Sequence, residues 1–377
     1  MEQLAAKIHK SGFQGVIAIT GGGVGAYNLL CRYGGASKTF IEGIIPYATE
    51  SFEDHVKGSP EKWVSGESVR QLAMAAYQRA RFLKKSSNNL FGVASSASLI
   101  KNEDEREGRT HRVAIAIHTD RMTNVVEYTV DLAKRHEQED TVSALVLNTI
   151  AKAVGVYPMD IDAGRYLGCK IVKQQTEYAK GEWPKLFFKE LFACYGDGTP
   201  VAKEEVKAIF PGSFNYRHTG HQDIERVGSS KLGVKVHYEI SVLNVDKPAL
   251  DYISISDRLS KFDDLRSVIL TNAAKITEKT TLFPGATVLV GIDTWSRIIN
   301  PKYYDDNILK MQAGLEMIAL RGCGFLVFGR LVDGTFKTLT KDGTIPASLR
   351  VEAIEETDFR RDISSSELRK AAASVGV

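Results

Sequence analysis

Residues 206–221 read VKAIFPGSFNYRHTGH, an apolar run followed by a turn of small residues and then by two histidines three positions apart. Val206 to Phe210 has the length and composition of a buried strand, Gly212 and Ser213 supply the turn, and the residues beyond can form a helix. That order builds an anion site. The small residues let the backbone approach a polyphosphate closely, and the helix N-terminus offers unpaired N–H groups with a partial positive charge. His218 and His221 fall on one face of the first helical turn. Two imidazoles there can donate hydrogen bonds to charge developing on a phosphoryl group. Standing alone, such a pair is more often a surface feature or a satisfied core pair.

Around this string the chain reads as an α/β protein of two domains. Its 377 residues are more than one core usually serves, and 43% hydrophobic and 25% charged residues are ordinary for a globular fold. A formal net charge of +3 gives no global argument for nucleic acid or a membrane surface, so any anion site is local. The four cysteines, Cys31, Cys169, Cys194 and Cys323, show neither disulfide nor zinc-ligand spacing and read as reduced, buried thiols. No metal site is expected from them. The N-terminus lacks a long apolar run, so a cytoplasmic or nuclear location is expected.

Short β-branched runs alternate with helical periods in both halves, the signature of βαβ units around a mostly parallel sheet. In the first half, strands are expected at Val16 to Thr20, leading into Gly21–Gly22–Gly23, and at Val113 to Thr119. Between them Ser65 is a plausible N-cap for a helix whose apolar face is Val69, Leu72, Ala73, Ala76, Tyr77 and Ala80. A second helix spans roughly 140–154. The pattern loosens after Gly155 and restarts near Val206, giving domains at 1–158 and 205–377 with 159–204 as a connecting segment. Further strands are expected at 234–242, 287–292 and 325–328, with a last helix from about Ser366.

The string GSFNYRHTGH (212–221) resembles the GxFxPxHxGH signature of the nucleotidylyltransferase superfamily, with Tyr216 where the family most often has Pro. DISSSELRKA (362–371) is similar to the same family's ISSTxIR motif. It is also a capped helix start, with Ser364 and Glu367 at capping-box spacing. The resemblance implies a Rossmann-like nucleotidylyltransferase fold with a mostly parallel sheet. It also implies catalytic roles for His218 and His221, with nucleotide or phosphate contacts from Gly212, Ser213, Phe214, Ser364, Ser365, Ser366 and Arg369. EISVLNVDKPALDY (239–252) and VGIDTWSRIINPKYY (290–304) resemble the nicotinamide mononucleotide branch. Asp293 reads as a ribose or base contact or as a helix N-cap, Trp295 as a stacking partner or a core aromatic, and Arg330 as a further phosphate ligand. The implied reaction is attack by an acceptor phosphate oxygen on the α-phosphate of an NTP, best ATP, with Mg2+ carried on the phosphates. The acceptor expected is nicotinamide mononucleotide or its acid form. CTP with a phospho-alcohol, a nucleotide-binding regulatory protein without turnover, and last an amidohydrolase working from the first half are the alternatives. No nucleic-acid or membrane partner is expected, and a homo-oligomer is suggested by the family resemblance alone.

Residues 15–155 resemble the C-terminal domain of the competence-damage-inducible (CinA) family, whose active members deamidate nicotinamide mononucleotide. The strings that carry this are VIAITGGG (16–23), GGASKTFIEGIIPYATES (34–51), WVSGESVRQLAMAAYQRAR (63–81) and FGVASSASL (91–99). Active members read ESCTGG at the first string, which places Ala18 at the nucleophilic Ser and Ile17 at the Glu. Neither can attack an amide, so the first half is expected to be a degenerate amidase fold. Tyr47 matches a family tyrosine. Ser95, Ser96 and Ser98 leave a displaced hydroxyl open, and the glycine turn is either a phosphate cradle or only a tight turn.

Overall fold

The computed structural model describes residues 1–85, 87–101, 110–157, 168–244, 248–332, 335–339 and 345–359. The chain divides into two compact units, the first Met1–Ala179 with Asp246–Ser256, the second Lys180–Val245 with Asp257–Val377. Both are α/β.

The first unit is a six-stranded mixed sheet formed by β1 (Gln14–Thr20), β2 (Phe40–Ile44), β3 (Leu90–Ser98), β4 (His111–Thr119), β5 (Met122–Val130) and β6 (Cys169–Tyr178), in the order β2-β1-β3-β4-β5-β6. β1 runs parallel to β2 and β3, whereas the pairings from β3 to β6 are antiparallel. The mostly parallel expectation therefore fails for this half. The physical reason is local: β4 and β5 are joined through Asp120 and Arg121 alone, and a two-residue hairpin can only connect antiparallel strands.

Successive strand residues face opposite sides. Ile17, Ile19, Phe91 and Val93 bury against Val142, Leu145, Val146 and Ile150 of the helix Arg135–Ala153. The helix Gly66–Leu83 covers the other face, and it sits so close that a Cβ on Gly92 would lie 2.1 Å from the Tyr77 backbone nitrogen. Ser65 caps this helix as the sequence suggests, its hydroxyl accepting the Ser68 N–H at 3.2 Å.

The described part of the segment 159–204, expected to connect, is instead divided between the units. β6 completes the first sheet, while the helix Trp183–Phe188 and β7 (Ala193–Tyr195) belong to the second. β6 is an edge strand with its residues half-buried or exposed on both faces, so it carries no apolar alternation to betray it. Conversely, Tyr252, from the string resembling the nucleotide branch, belongs to the first unit. Its hydroxyl donates to the Asp120 carbonyl at 2.9 Å, its backbone N–H donates to Thr123 Oγ1 at 3.1 Å, and its ring lies 4.7 Å from that of His118.

Burial pushes His118 down to about 4, against the opposing pull of Asp251. The folded imidazole thus stays neutral where an unfolded one, near 6.5, takes up a proton. The first unit should keep its full stability above pH 6.5 and lose it as the pH falls toward 4, by up to about 1.4 kcal/mol per pH unit from this group. Urea titrations across that range should show the slope, and His118→Gln should flatten it.

The second unit holds a seven-stranded sheet. Its strands are β7, β8 (Ala208–Pro211), β9 (His237–Ser241), β10 (Val268–Thr271), β11 (Thr287–Gly291), β12 (Gly324–Phe328) and β15 (Arg350–Ile354), with the hairpin β13 (Arg330–Val332) and β14 (Thr335–Lys337) apart from it. The order is β15-β12-β11-β8-β9-β10-β7, and every neighbouring pair is parallel except β10 with β7. Leaving β7 aside, the chain fills β8, β9, β10 to one side and then returns across β8 to lay down β11, β12 and β15. This is the doubly wound order of a Rossmann-like sheet, with its switch point between β8 and β11. No helix among the described residues is long and apolar enough to cross a membrane.

Candidate functional site

The loop Gly212–His218 leaves the carboxyl end of β8, the central strand at the switch point. Asp293 follows β11, and Arg330 follows β12, so all three leave the same edge of the parallel sheet. That edge is where open α/β sheets bind ligands.

The loop is built around one aromatic ring. Phe214 adopts a left-handed backbone, φ 46°, which few residues other than glycine tolerate. In return its ring is buried among Phe210, Tyr238, Phe262 and His221, with centroids 5.2 to 5.8 Å apart. A Cβ on Gly212 would meet that ring at 2.5 Å, so glycine at 212 is what makes room for Phe214. Phe214, expected to contact nucleotide, is a buried prop for the loop, and only its backbone can face a ligand.

His218 is the N-cap of the helix Thr219–Leu232. Its backbone N–H donates to His221 Nδ1 at 3.4 Å, and the two rings stack with centroids 3.8 Å apart. An Nδ1 that accepts leaves the proton of a neutral imidazole on Nε2. Burial, His218 and Arg217 push His221 down to about 4, and burial also lowers His218. At neutral pH both are therefore uncharged hydrogen-bonding groups. Ser213 is exposed beside them.

Three cations that sequence reading missed surround this loop. Arg258 Nε donates to the Ser213 carbonyl at 3.1 Å, Lys261 Nζ donates to the Asn215 carbonyl, and Arg217 lies over the Tyr238 and Phe262 rings while donating to the Lys261 carbonyl. Burial and the nearby Arg258 lower Lys261. Arg217 sits inside the motif and was legible. Arg258 and Lys261 come from more than 40 residues downstream, and only the fold brings them here.

Asp293 lies in the first turn of the helix Ile292–Ile298, whose N-cap is Gly291, so the capping reading of Asp293 is corrected. Its carboxylate pairs with Arg330 Nε at 3.0 Å, on side chains 58% and 37% exposed, so both remain open to a ligand. Trp295 is only 1% exposed and packs edge-on against Phe325, 5.0 Å away. It is a core residue, because it projects from the sheet-facing side of its helix. Ser364, Ser365, Ser366 and Arg369 lie outside the described residues. Among the described residues no three His, Cys, Asp or Glu converge to hold a metal ion. The cysteines are free, but Cys31 is exposed and Cys169 half-buried, against the expectation of burial.

In the first unit Ala18 and Ile17 are wholly buried in the middle of β1, with no hydroxyl or carboxylate to offer. Ser95 Oγ donates to the Gly22 carbonyl at 3.2 Å and Ser96 Oγ to the Trp63 carbonyl at 2.7 Å, so both serve as structural donors. The glycine turn does cradle an anion, and the anion is the protein's own. Glu139 accepts the Gly23 N–H at 2.9 and 3.0 Å and the Gly25 N–H at 3.3 Å. Charge-assisted bonds of this kind are the strong ones. Glu139→Ala should cost about 1–3 kcal/mol, measurable by urea denaturation, since it leaves those donors unpaired.

No family model and no curated protein matches the chain. Among solved structures it is similar to a competence-damaged protein (CinA) superfamily protein from Escherichia coli, at 17% identity over 41% of this chain and 84% of that one, TM-score 0.30. A competence/damage-inducible protein from Agrobacterium tumefaciens shares 19% identity over 41% of this chain and 93% of that one, TM-score 0.32. A competence or damage-inducible protein from Enterobacter asburiae shares 16% over 41% and 96%, TM-score 0.31.

Proposed function

We propose that the second unit is a nucleotidylyltransferase, joining the nucleotidyl group of an NTP to a small phosphorylated acceptor and releasing pyrophosphate. The observation that carries this reading is the stacked, neutral pair His218 and His221 at a helix N-terminus, placed by β8 at the switch point of a doubly wound sheet. The resemblance of GSFNYRHTGH to the superfamily signature supports it independently of the geometry.

In this mechanism an acceptor phosphate oxygen attacks the α-phosphorus of the NTP in line, a new P–O bond forms, and the bond to the β-phosphate breaks. The protein contributes position and electrostatics. His221 Nε2–H and the His218 ring donate to the phosphoryl oxygens as charge develops, and uncharged donors of fixed direction need no reorganisation at that moment. The N–H groups at the start of the helix Thr219–Leu232 face the same anion. Arg258, Lys261 and Arg217 keep the loop rigid and its surroundings positive. Mg2+ would arrive with the triphosphate and supply positive charge to the leaving pyrophosphate. ATP and nicotinamide mononucleotide, or its acid form, are the substrates proposed from the resemblance. The first unit, with Ala18 at the nucleophile position and Glu139 in the glycine turn, is proposed to serve binding or assembly in place of amide hydrolysis.

The test is pyrophosphate release, with Mg2+, from ATP and CTP each paired with nicotinamide mononucleotide, its acid form, phosphopantetheine and phosphocholine. Release is expected with ATP and one of the first two acceptors. Silence across all pairs, with NTP binding still detected by calorimetry, would overturn the assignment in favour of a nucleotide-binding protein without turnover.

A further inference from the structure

At the opposite edge of the seven-stranded sheet, where β8, β9 and β10 begin and the antiparallel β7 ends, lies a cavity of about 320 Å3 lined by Tyr195, Glu205, Lys235, His237 and Arg266. None of these residues takes part in the histidine site. We propose that this cavity binds a small phosphomonoester carrying free hydroxyl groups, of the size of a pentose phosphate.

His237 is the starting observation. It is 8% exposed, and its buried Nδ1 finds no hydrogen-bond partner among the described residues. A buried polar atom left unmade costs about 1–3 kcal/mol, which a ligand seated on His237 would recover by drawing the ring round to meet it. Surface ion pairing explains the rim residues but leaves this nitrogen without a purpose. Burial and the neighbouring Lys235 lower the imidazole, against Asp264, so it meets a ligand uncharged.

The cations at the rim retain donors. Lys235 Nζ makes one carboxylate contact, 3.3 Å from Asp264 Oδ2, and an ammonium has three donors. Arg266 makes one through Nε, 3.2 Å from Asp197 Oδ2, and a long contact to Thr199, and a guanidinium has five donors. A tetrahedral phosphate can present oxygens to Lys235, Arg266 and His237 in three directions, whereas a planar carboxylate offers only two. Glu205 disfavours a bare anion and favours a ligand that also brings hydroxyl donors. The Tyr195 and His237 rings, centroids 6.1 Å apart and tilted by 39°, give a flat wall for the C–H face of a sugar. The volume sits at the small end of metabolite pockets, too small for a dinucleotide.

Calorimetry of the full chain with ribose 5-phosphate tests this. Saturable binding is expected, weakened at least about tenfold in both Arg266→Gln and Lys235→Gln, unchanged in His218→Ala, and at least about tenfold tighter than that of inorganic phosphate. Both lining residues are largely exposed, so the variants should fold, and thermal melts check this. No binding at about 10 mM ligand would overturn the proposal. So would binding retained in both lining variants, equal binding of inorganic phosphate, or binding lost with His218, which would return the ligand to the nucleotidyl-transfer site.

Discussion

Alanine at His218 or at His221 should lower pyrophosphate release by roughly a hundredfold or more, the usual loss when one preorganised donor to a developing phosphoryl or oxyanion charge is removed. The two residues also have structural duties, and these must be separated from the chemistry. His218 holds the N-cap position of the helix Thr219–Leu232, where alanine costs about 0.5–2 kcal/mol against a good capping residue. His221 packs edge-on against Phe214, 5.2 Å away, and therefore helps hold the loop. His218→Asn makes the distinction, because asparagine is among the best N-caps yet cannot place an imidazole N–H over the phosphates. It should melt above His218→Ala while turnover stays low. Turnover near that of the parent in both alanine variants would end the role assigned to the pair.

The legibility of this site in the sequence follows from how local each of its parts is. The strand–turn–helix unit at 206–221 is contiguous, its glycine falls where the backbone needs it, and the strand and helix both form, with β8 starting at Ala208, two residues beyond the start of the apolar run. The same holds for the Ser65 cap and for β11 and β12. Features set by partners far along the chain were not readable. Glu139 fills the Gly23 turn from 116 residues away, and nothing in either string announces the other. Arg258 and Lys261 carry no motif. Phe214 reads as part of a binding signature, yet its ring is spent on the core, because a left-handed turn at that position directs it inward. The antiparallel half of the first sheet was missed for a similar reason. Its β5 and β6 carry polar residues at alternating or consecutive positions, and strand direction is set by connection length more than by composition.

Lys279→Met should destabilise the second unit by about 3–5 kcal/mol, the cost of stranding a buried charge. Glu239 is wholly buried on β9. Its Oε1 accepts from Lys279 Nζ at 2.8 Å and from the Thr271 hydroxyl, while Oε2 has no partner among the described residues. Lys279 is itself buried and also donates to the Ala273 carbonyl at 2.7 Å. The pair satisfies itself only while complete, and one oxygen remains unmet even then, so it cannot be a strong net source of stability. That makes the double variant informative. Lys279→Met combined with Glu239→Gln should recover much of the loss, because a neutral amide leaves no charge to be compensated, and the coupling from the four-way cycle should exceed about 1 kcal/mol. A single variant within about 1 kcal/mol of the parent would mean that water reaches Glu239 in solution. The consequence for the site is direct, since the Glu239 carbonyl accepts the Gly212 N–H at 3.0 Å and so fixes the first residue of the histidine loop. Lys279→Met should therefore loosen the loop before it unfolds the unit. At a temperature where the variant is still folded, pyrophosphate release should already be reduced, and the double variant should regain activity along with stability.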